Sequence, residues 1–358
     1  MSVDFFMTYS TKKDVEEIKS RLAKRNIDFS DQSILVTGGA GFLGSWVCEV
    51  LVEQGANVIC IDDLSSGLWS NIAHLDGKDN FRFIMHDISE PIYFGKSHPA
   101  YASVPDVHKL DIVMHMASRA SPMEFKSHPI AILKSNTFGT FNALGIANQH
   151  NSTFFYSSTS EVYGDPPDEH VPTPESYFGH VNPIGPRSCY DEAKRAGEAY
   201  IMAYMLEYNI DAHLIRIFNT YGPRIRAGKL FGRVVPNFIM QALQDEDITV
   251  FGSGKQTRSF TYVVDEIEGI FTDIATEKAK GIVINVGNNV EVSILELAEK
   301  IIELTGSNSE IKHKPLPKDD PSRRSPILDR ADEILGWQPQ FQIEEGLKRS
   351  IGWFKELL

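Results

Sequence analysis

A chain of 358 residues, 42% apolar and with 26 glycines and 18 prolines, has the make-up of a folded globular protein, which excludes a disordered one. Its formal net charge of −13 repels polyanions at long range, so no nucleic-acid partner is expected, although a few arginines would suffice for a local diphosphate pocket. Three scattered cysteines, Cys48, Cys60 and Cys189, are too few for a disulfide framework or a zinc site, and read as free thiols in a reducing compartment.

From the N-terminus, Thr11 to Asn26 is highly charged and carries Val15, Ile18 and Leu22 at helical spacing. This predicts a helical extension over residues 1–30 whose role is packing, without chemistry. The first residues lack the basic-then-apolar order of a secretory signal. No apolar run reaches the length of a membrane span, so a cytoplasmic protein with no membrane partner is expected. From Ser33 onward short apolar runs alternate with longer helical stretches. Strands are predicted at Ile34–Thr37, Val58–Ile61, Phe81–Met85, Ile112–Met116, Phe154–Ser157, Leu214–Phe218 and Ile282–Val286, with helices at Phe42–Glu53, Ile130–Asn148 and Tyr190–Glu207 between them. Several strands are apolar throughout, as burial on both faces requires. The expected fold is α/β, a doubly wound parallel sheet of Rossmann type over residues 31–215. Gly179–Pro186, Gly222–Gly232 and Lys314–Pro326 are rich in loop formers. They suit a smaller C-terminal substrate lobe over 216–358, from which about 260–290 returns to the sheet.

The first strand runs into Gly38-Gly-Ala-Gly41-Phe42-Leu43-Gly44 and then a helix. Glycines at this spacing permit a tight turn, close approach of backbone to a pyrophosphate, and helix–sheet packing, while the helix N-terminus favours the negative charge. Asp62 and Asp63 follow the second strand, where a carboxylate accepts from the adenosine ribose and repels a 2′-phosphate; Asp62 is preferred and NAD is chosen over NADP. Asp87 and Ile88 after the third strand would bracket the adenine, and Ala117 and Ser118 after the fourth would line the cofactor's middle.

Tyr190-Asp-Glu-Ala-Lys194 sets a phenol and an ammonium one helical turn apart. A nearby cation and the positive nicotinamide both favour phenolate, making Tyr190 a base, and Lys194 can also hold the nicotinamide ribose. The fifth strand ends in Ser158-Thr159-Ser160-Glu161, at the sheet edge where ligands collect. Thr159 would hydrogen-bond the reacting hydroxyl, and Glu161 would act as a second acid/base or positioning group.

Taken in order, the glycine loop, Thr159-Ser-Glu-Val-Tyr-Gly164, Tyr190-x-x-x-Lys194 and Asn219-Thr-Tyr-Gly-Pro-Arg224 resemble the extended short-chain dehydrogenase/reductase family acting on nucleotide sugars. Gly179-His-Val-Asn-Pro-Ile-Gly-Pro-Arg187, Tyr190-Asp-Glu-Ala-Lys-Arg195, Gly232-Arg-Val-Val-Pro-Asn-Phe238 and Gly252-Ser-Gly-Lys-Gln-Thr-Arg258 are similar to the UDP-glucuronic acid decarboxylases, or UDP-xylose synthases. The resemblance implies oxidation at carbon 4 of UDP-glucuronate by tightly bound NAD, loss of carbon dioxide, and return of the hydride to give UDP-xylose. It implies that Glu161 and Arg258 manage the carboxylate and enolate. Asn219, Arg233 and Arg324, with Arg258 sharing the task, would hold the nucleotide diphosphate, with Ser160 beside the sugar. It also suggests a homodimer through the Tyr190 helix.

In related 4,6-dehydratases an Asp stands at the position of Ser160, and in the familiar sugar 4-epimerases small residues replace Glu161; the Ser-Glu pair therefore favours decarboxylation. The chain departs from the family at Arg119 (usually Pro), Phe178 (usually Trp) and Ile327 (usually acidic), and Phe94–Lys109 reads as an insertion. The alternatives are a UDP-glucuronate 4-epimerase, a UDP-apiose/xylose synthase, an oxidative decarboxylase releasing the keto-pentose, or a nonenzymatic NAD-binding scaffold.

Overall fold

Apolar runs bounded by turn formers become parallel strands β1 (Ser33–Thr37), β2 (Asn57–Asp62), β3 (Phe81–Met85), β4 (Ile112–His115), β5 (Thr153–Thr159) and β6 (Ala212–Ile217). A seventh strand, Val283–Val286, pairs with β6 and closes the sheet in the order β3-β2-β1-β4-β5-β6 and then this strand. The order reverses between β1 and β4, so a crevice opens at their carboxyl ends. These features come from a computed structural model that describes residues 9–94, 107–228, 232–315 and 323–358. Most of the expected Phe94–Lys109 insertion, the first eight residues, and parts of the Gly222–Gly232 and Lys314–Pro326 stretches lie outside the described residues.

Strand side chains alternate between two layers. Val36, Met114, Phe155 and Ile215 face one core, with Trp46 and Val50 of helix α2 and Ile267 and Phe271 of a later helix; Leu35, Val113, Phe154 and Leu214 face the other, with Ala143, Leu144 and Ile201. The first seven helices in chain order are α1 (Tyr9–Lys24), α2 (Phe42–Glu53), α3 (Glu124–Ser127), α4 (Pro129–His150), α5 (Ser188–Tyr208), α6 (Val234–Leu243) and α7 (Val263–Ala275). Pro129 opens α4 with its fixed φ, and left-handed Asn151 and Asn209 end α4 and α5. Among the described residues no helix is long and apolar enough to cross a membrane.

The expected boundary at residue 215 falls inside β6. Beyond it the chain builds small sheets: Ile248–Phe251 pairs with Ile311–Lys314, and Thr257–Ser259 lies between Glu291–Ser293 and Arg323–Arg324. The lobe is entered at Thr220–Tyr221, which pairs in parallel with Thr261–Tyr262.

Helix α1 is part of the core. Val15, Ile18 and Leu22 are buried against α7 and α2. Some of its charges are buried with them: Asp14 accepts from the Tyr262 hydroxyl at 2.5 Å and from Arg349 at 2.5 Å, while Arg21 bridges Asp265 at 2.8 Å and Glu268 at 3.0 Å.

Candidate active site

At the end of β1 the backbone turns at Gly38, with φ of +72°, and enters α2 beyond Gly41. A Cβ on Gly38 would lie 2.5 Å from the Cα of Ala117, and one on Gly44 would lie 2.2 Å from the Gly38 carbonyl oxygen. Both positions need bare backbone. No side chain caps α2, so its first-turn amides stay available where Phe42, Leu43 and Gly44 line a cavity. Asp62 ties this loop to the turn after β2: Ala40 N–H donates to Oδ2 at 3.0 Å and Leu64 N–H to Oδ1 at 2.8 Å. Burial pushes its carboxyl up. Asp63 lines the same cavity but accepts from the amide and hydroxyl of Ser65.

That cavity, about 1240 Å³, is lined by every residue that the sequence assigned to catalysis, cofactor or substrate. Gly38, Gly41, Asp62, Asp87, Ile88, Ala117 and Ser118 form one end; Thr159, Ser160, Glu161, Tyr190 and Lys194 the middle; and Asn219, Arg233, Arg258 and Arg324 the lobe side. Among the described residues, Ser118 Oγ and Asn219 Nδ2 are buried without a hydrogen-bond partner. Buried polar atoms are ordinarily paired, so these two match polar atoms of a ligand. A glycine cradle that a Cβ would fill, a carboxylate after β2 and an orphan hydroxyl after β4 together fit a dinucleotide.

The register of β5 against β6 sets Thr159 beside the start of α5, and one face of that helix presents Tyr190 and Lys194. Thr159 hydrogen-bonds Tyr190. Lys194 Nζ donates to the Ser157 carbonyl at 2.7 Å and stands 4.7 Å over the Tyr156 ring. Burial, then the charge of Glu161, push the Tyr190 phenol up to about 12, and burial brings Lys194 down to about 7. The Thr159 hydrogen bond and the charge of Arg233 act in the opposite direction on Tyr190, and the positive ring of a bound cofactor would add to them.

Two guanidiniums converge on Glu161. Arg324 Nη1 lies 2.6 Å from Oε2, and Arg187 Nη2 contacts the same oxygen. Burial opposes ionisation of Glu161, but the two arginines overcome it and hold the carboxyl well below its ordinary range. Arg324 also donates to the Gly164 carbonyl at 2.9 Å and approaches Ser160 Oγ at 3.4 Å, so its guanidinium is engaged here. Asp191 Oδ2 lies 3.6 Å from Arg187 Nε, and burial followed by the charge of Glu161 pushes its carboxyl up. Arg258 is the register partner of Arg324 on the neighbouring strand and donates to the Thr257 carbonyl at 2.8 Å. Arg233 faces both Tyr190 and Glu124.

Three residues at the centre were not singled out in the sequence. Arg187 stands three residues ahead of Tyr190, a helical spacing that could have drawn attention to it. The Phe125 ring stacks on Tyr190 with centroids 5.2 Å apart, and Glu124 pairs with Arg119 at 2.9 Å, placing the unusual Arg119 in the cavity wall. No local pattern in the sequence marks either contact.

The sequence model of the NAD dependent epimerase/dehydratase family matches residues 34–287. UDP-glucuronic acid decarboxylase 1 of Xenopus tropicalis is 43% identical over 325 residues, covering 91% of this chain and 72% of that protein. UDP-glucose 4-epimerase from Thermotoga maritima, solved with UDP-glucose, superposes with a TM-score of 0.81 at 31% identity, covering 91% of this chain and 99% of that one. UDP-glucuronic acid 4-epimerase from Bacillus cereus, solved with UDP-glucuronic acid and NAD, gives 0.78 at 27% identity, covering 91% and 100%.

Proposed function

The chain belongs to the NAD dependent epimerase/dehydratase family, and from that premise we propose that it converts UDP-glucuronate to UDP-xylose and carbon dioxide as a UDP-glucuronic acid decarboxylase. NAD is the cofactor, and Gly38, Gly41, Phe42, Leu43, Gly44, Asp62, Asp87, Ile88, Ala117, Ser118, Tyr190 and Lys194 would hold it. When bound, it supplies a hydride acceptor at carbon 4 and a positive ring that favours the Tyr190 phenolate.

Tyr190 takes the proton of the carbon-4 hydroxyl, which Thr159 orients. The resulting ketone lies β to the carboxylate, so the carbon–carbon bond can break with its electrons delocalised onto the carbonyl oxygen. Glu161, with Arg258 in the same cavity, manages the carboxylate and the protonation at carbon 5. Asn219, Arg233, Arg258 and Arg324 are assigned to the nucleotide sugar, with Ser160 beside its ring. The observation that carries the reading is the Glu161 centre: a carboxylate gripped by two arginines, next to the phenol, in a cavity that Arg258 also lines.

Incubation with UDP-glucuronate and NAD tests it. The expected products are UDP-xylose and carbon dioxide in equal amounts without accumulated NADH. An epimeric UDP-uronate without carbon dioxide would establish 4-epimerisation instead.

The active form is assigned as a homodimer. Phe138, Phe141 and Leu133 of α4 and Met202 and Leu206 of α5 are exposed apolar side chains on adjacent helices, a surface suited to a second copy. A cytoplasmic location completes the reading; three buried, unpaired cysteines suit reducing conditions.

A further inference from the structure

We propose that Arg187 receives the substrate's carboxylate and so sets the preference for a uronate over a neutral hexose; this rests on the decarboxylase reading above. The argument starts from ring geometry. The carbon-4 hydroxyl belongs at Tyr190 and Thr159, and the carboxylate is borne by the adjacent ring carbon. It must therefore lie beside the Tyr190 hydroxyl, where Glu161 alone would repel it.

Two guanidiniums meet at one carboxylate oxygen in a largely buried wall, with Asp191 as the further carboxyl group on the Arg187 side, and a second carboxylate is accommodated there only where such a cation faces it. Of the cations nearby, Lys194 is buried and donates to the Ser157 carbonyl. Arg324 is 5% exposed and committed to Glu161, Gly164 and Ser160. Arg187 is more exposed, at 17%, and lines the cavity from the N-cap of α5, three residues before Tyr190. The Phe125 ring, 5.5 Å from its guanidinium carbon, supports it, and that ring in turn stacks on Tyr190. Asp191 Oδ2 pairs with the Nε side of Arg187 at 3.6 Å, so Arg187 is held by two carboxylates of the protein. The planar fork of an arginine can span Glu161 and a second carboxylate at once. Arg233, the other guanidinium facing Tyr190, is assigned to the diphosphate.

The experiment measures binding in NAD-loaded protein carrying Tyr190→Phe, which prevents turnover. Calorimetric titration compares UDP-glucuronate with UDP-xylose, the same nucleotide sugar without a carboxylate. Adding Arg187→Gln should weaken UDP-glucuronate by about 10- to 100-fold, the worth of a charge-assisted hydrogen bond, and leave UDP-xylose within about twofold. Arg187→Lys should give an intermediate loss. Arg233→Gln should weaken both ligands alike. Intact UDP-xylose binding also shows that each variant is folded. Equal loss of both ligands in Arg187→Gln, or loss of neither, overturns the assignment while leaving the decarboxylase reading in place. Failure of the Tyr190→Phe protein itself to bind UDP-glucuronate overturns both.

Discussion

Arg324 reaches Glu161 from a strand near the far end of the chain, Nη1 to Oε2 at 2.6 Å, and Arg187 meets the same oxygen from the start of α5. The lobe and the dinucleotide half are thereby joined at one carboxylate. Glu161→Gln keeps the shape but removes the charge between the two guanidiniums. UDP-xylose formation should fall on the order of 10²- to 10³-fold in kcat, in the range of a lost acid/base group, with NAD affinity changed less than about twofold. A matching loss of NAD binding, seen by fluorescence titration, would show a folding defect instead.

The buried Asp191 carboxyl should leave a pH signature in stability. Its folded pKa, pushed up to about 7, exceeds the ordinary 3.8. The folded chain therefore holds a proton that the unfolded chain releases in this window, and stability is lost as pH rises through about 7. Asp191→Asn copies the protonated form and removes this dependence. Its Tm relative to wild type should climb between pH 5 and pH 8, by roughly a few degrees. A difference flat with pH would show that Asp191 titrates normally.

The N-terminal helix should matter to the whole fold. Arg21→Ala removes a guanidinium shared by Asp265 and Glu268, both buried on α7, leaving Glu268 its Arg25 partner and Asp265 its two backbone donors, and should cost about 2 kcal/mol in urea denaturation. The exposed helix position Glu16, substituted by Ala, should stay within about 0.5 kcal/mol. Equal effects would mean that α1 is only an appendage.

Charge placed on the apolar face of α4 should separate the subunits. Phe138→Asp with Phe141→Asp should yield a monomer by light scattering at concentrations where the wild type is a dimer. A wild-type monomer would refute the assembly assigned above.

Strands were legible because runs such as Ile34–Val36 and Phe154–Tyr156 are apolar on both faces, and the α5 pair because Tyr190 and Lys194 lie one turn apart. The cofactor loop was legible because its glycines are steric necessities, as Gly38 against Ala117 demonstrates. What was hidden depends on distant contacts. Nothing near Arg324 reveals that it grips Glu161, and an arginine at a helix start, like Arg187, reads as surface. Asp14 and Arg21 looked like a solvated helical face because their partners, Tyr262, Arg349, Asp265 and Glu268, lie more than two hundred residues away. Burial and the charge of Glu161, which push the Tyr190 phenol up, are likewise invisible in the local sequence.

The ribbon of Thr220–Tyr221 on Thr261–Tyr262 carries one more implication. The outgoing and returning chains are laced together at the neck of the lobe, so tugging one drags the other. Because Asp14 accepts from the Tyr262 hydroxyl, the first helix, none of whose described residues lines the cavity, is fastened to that neck, and damage to it should surface as altered access to the pocket.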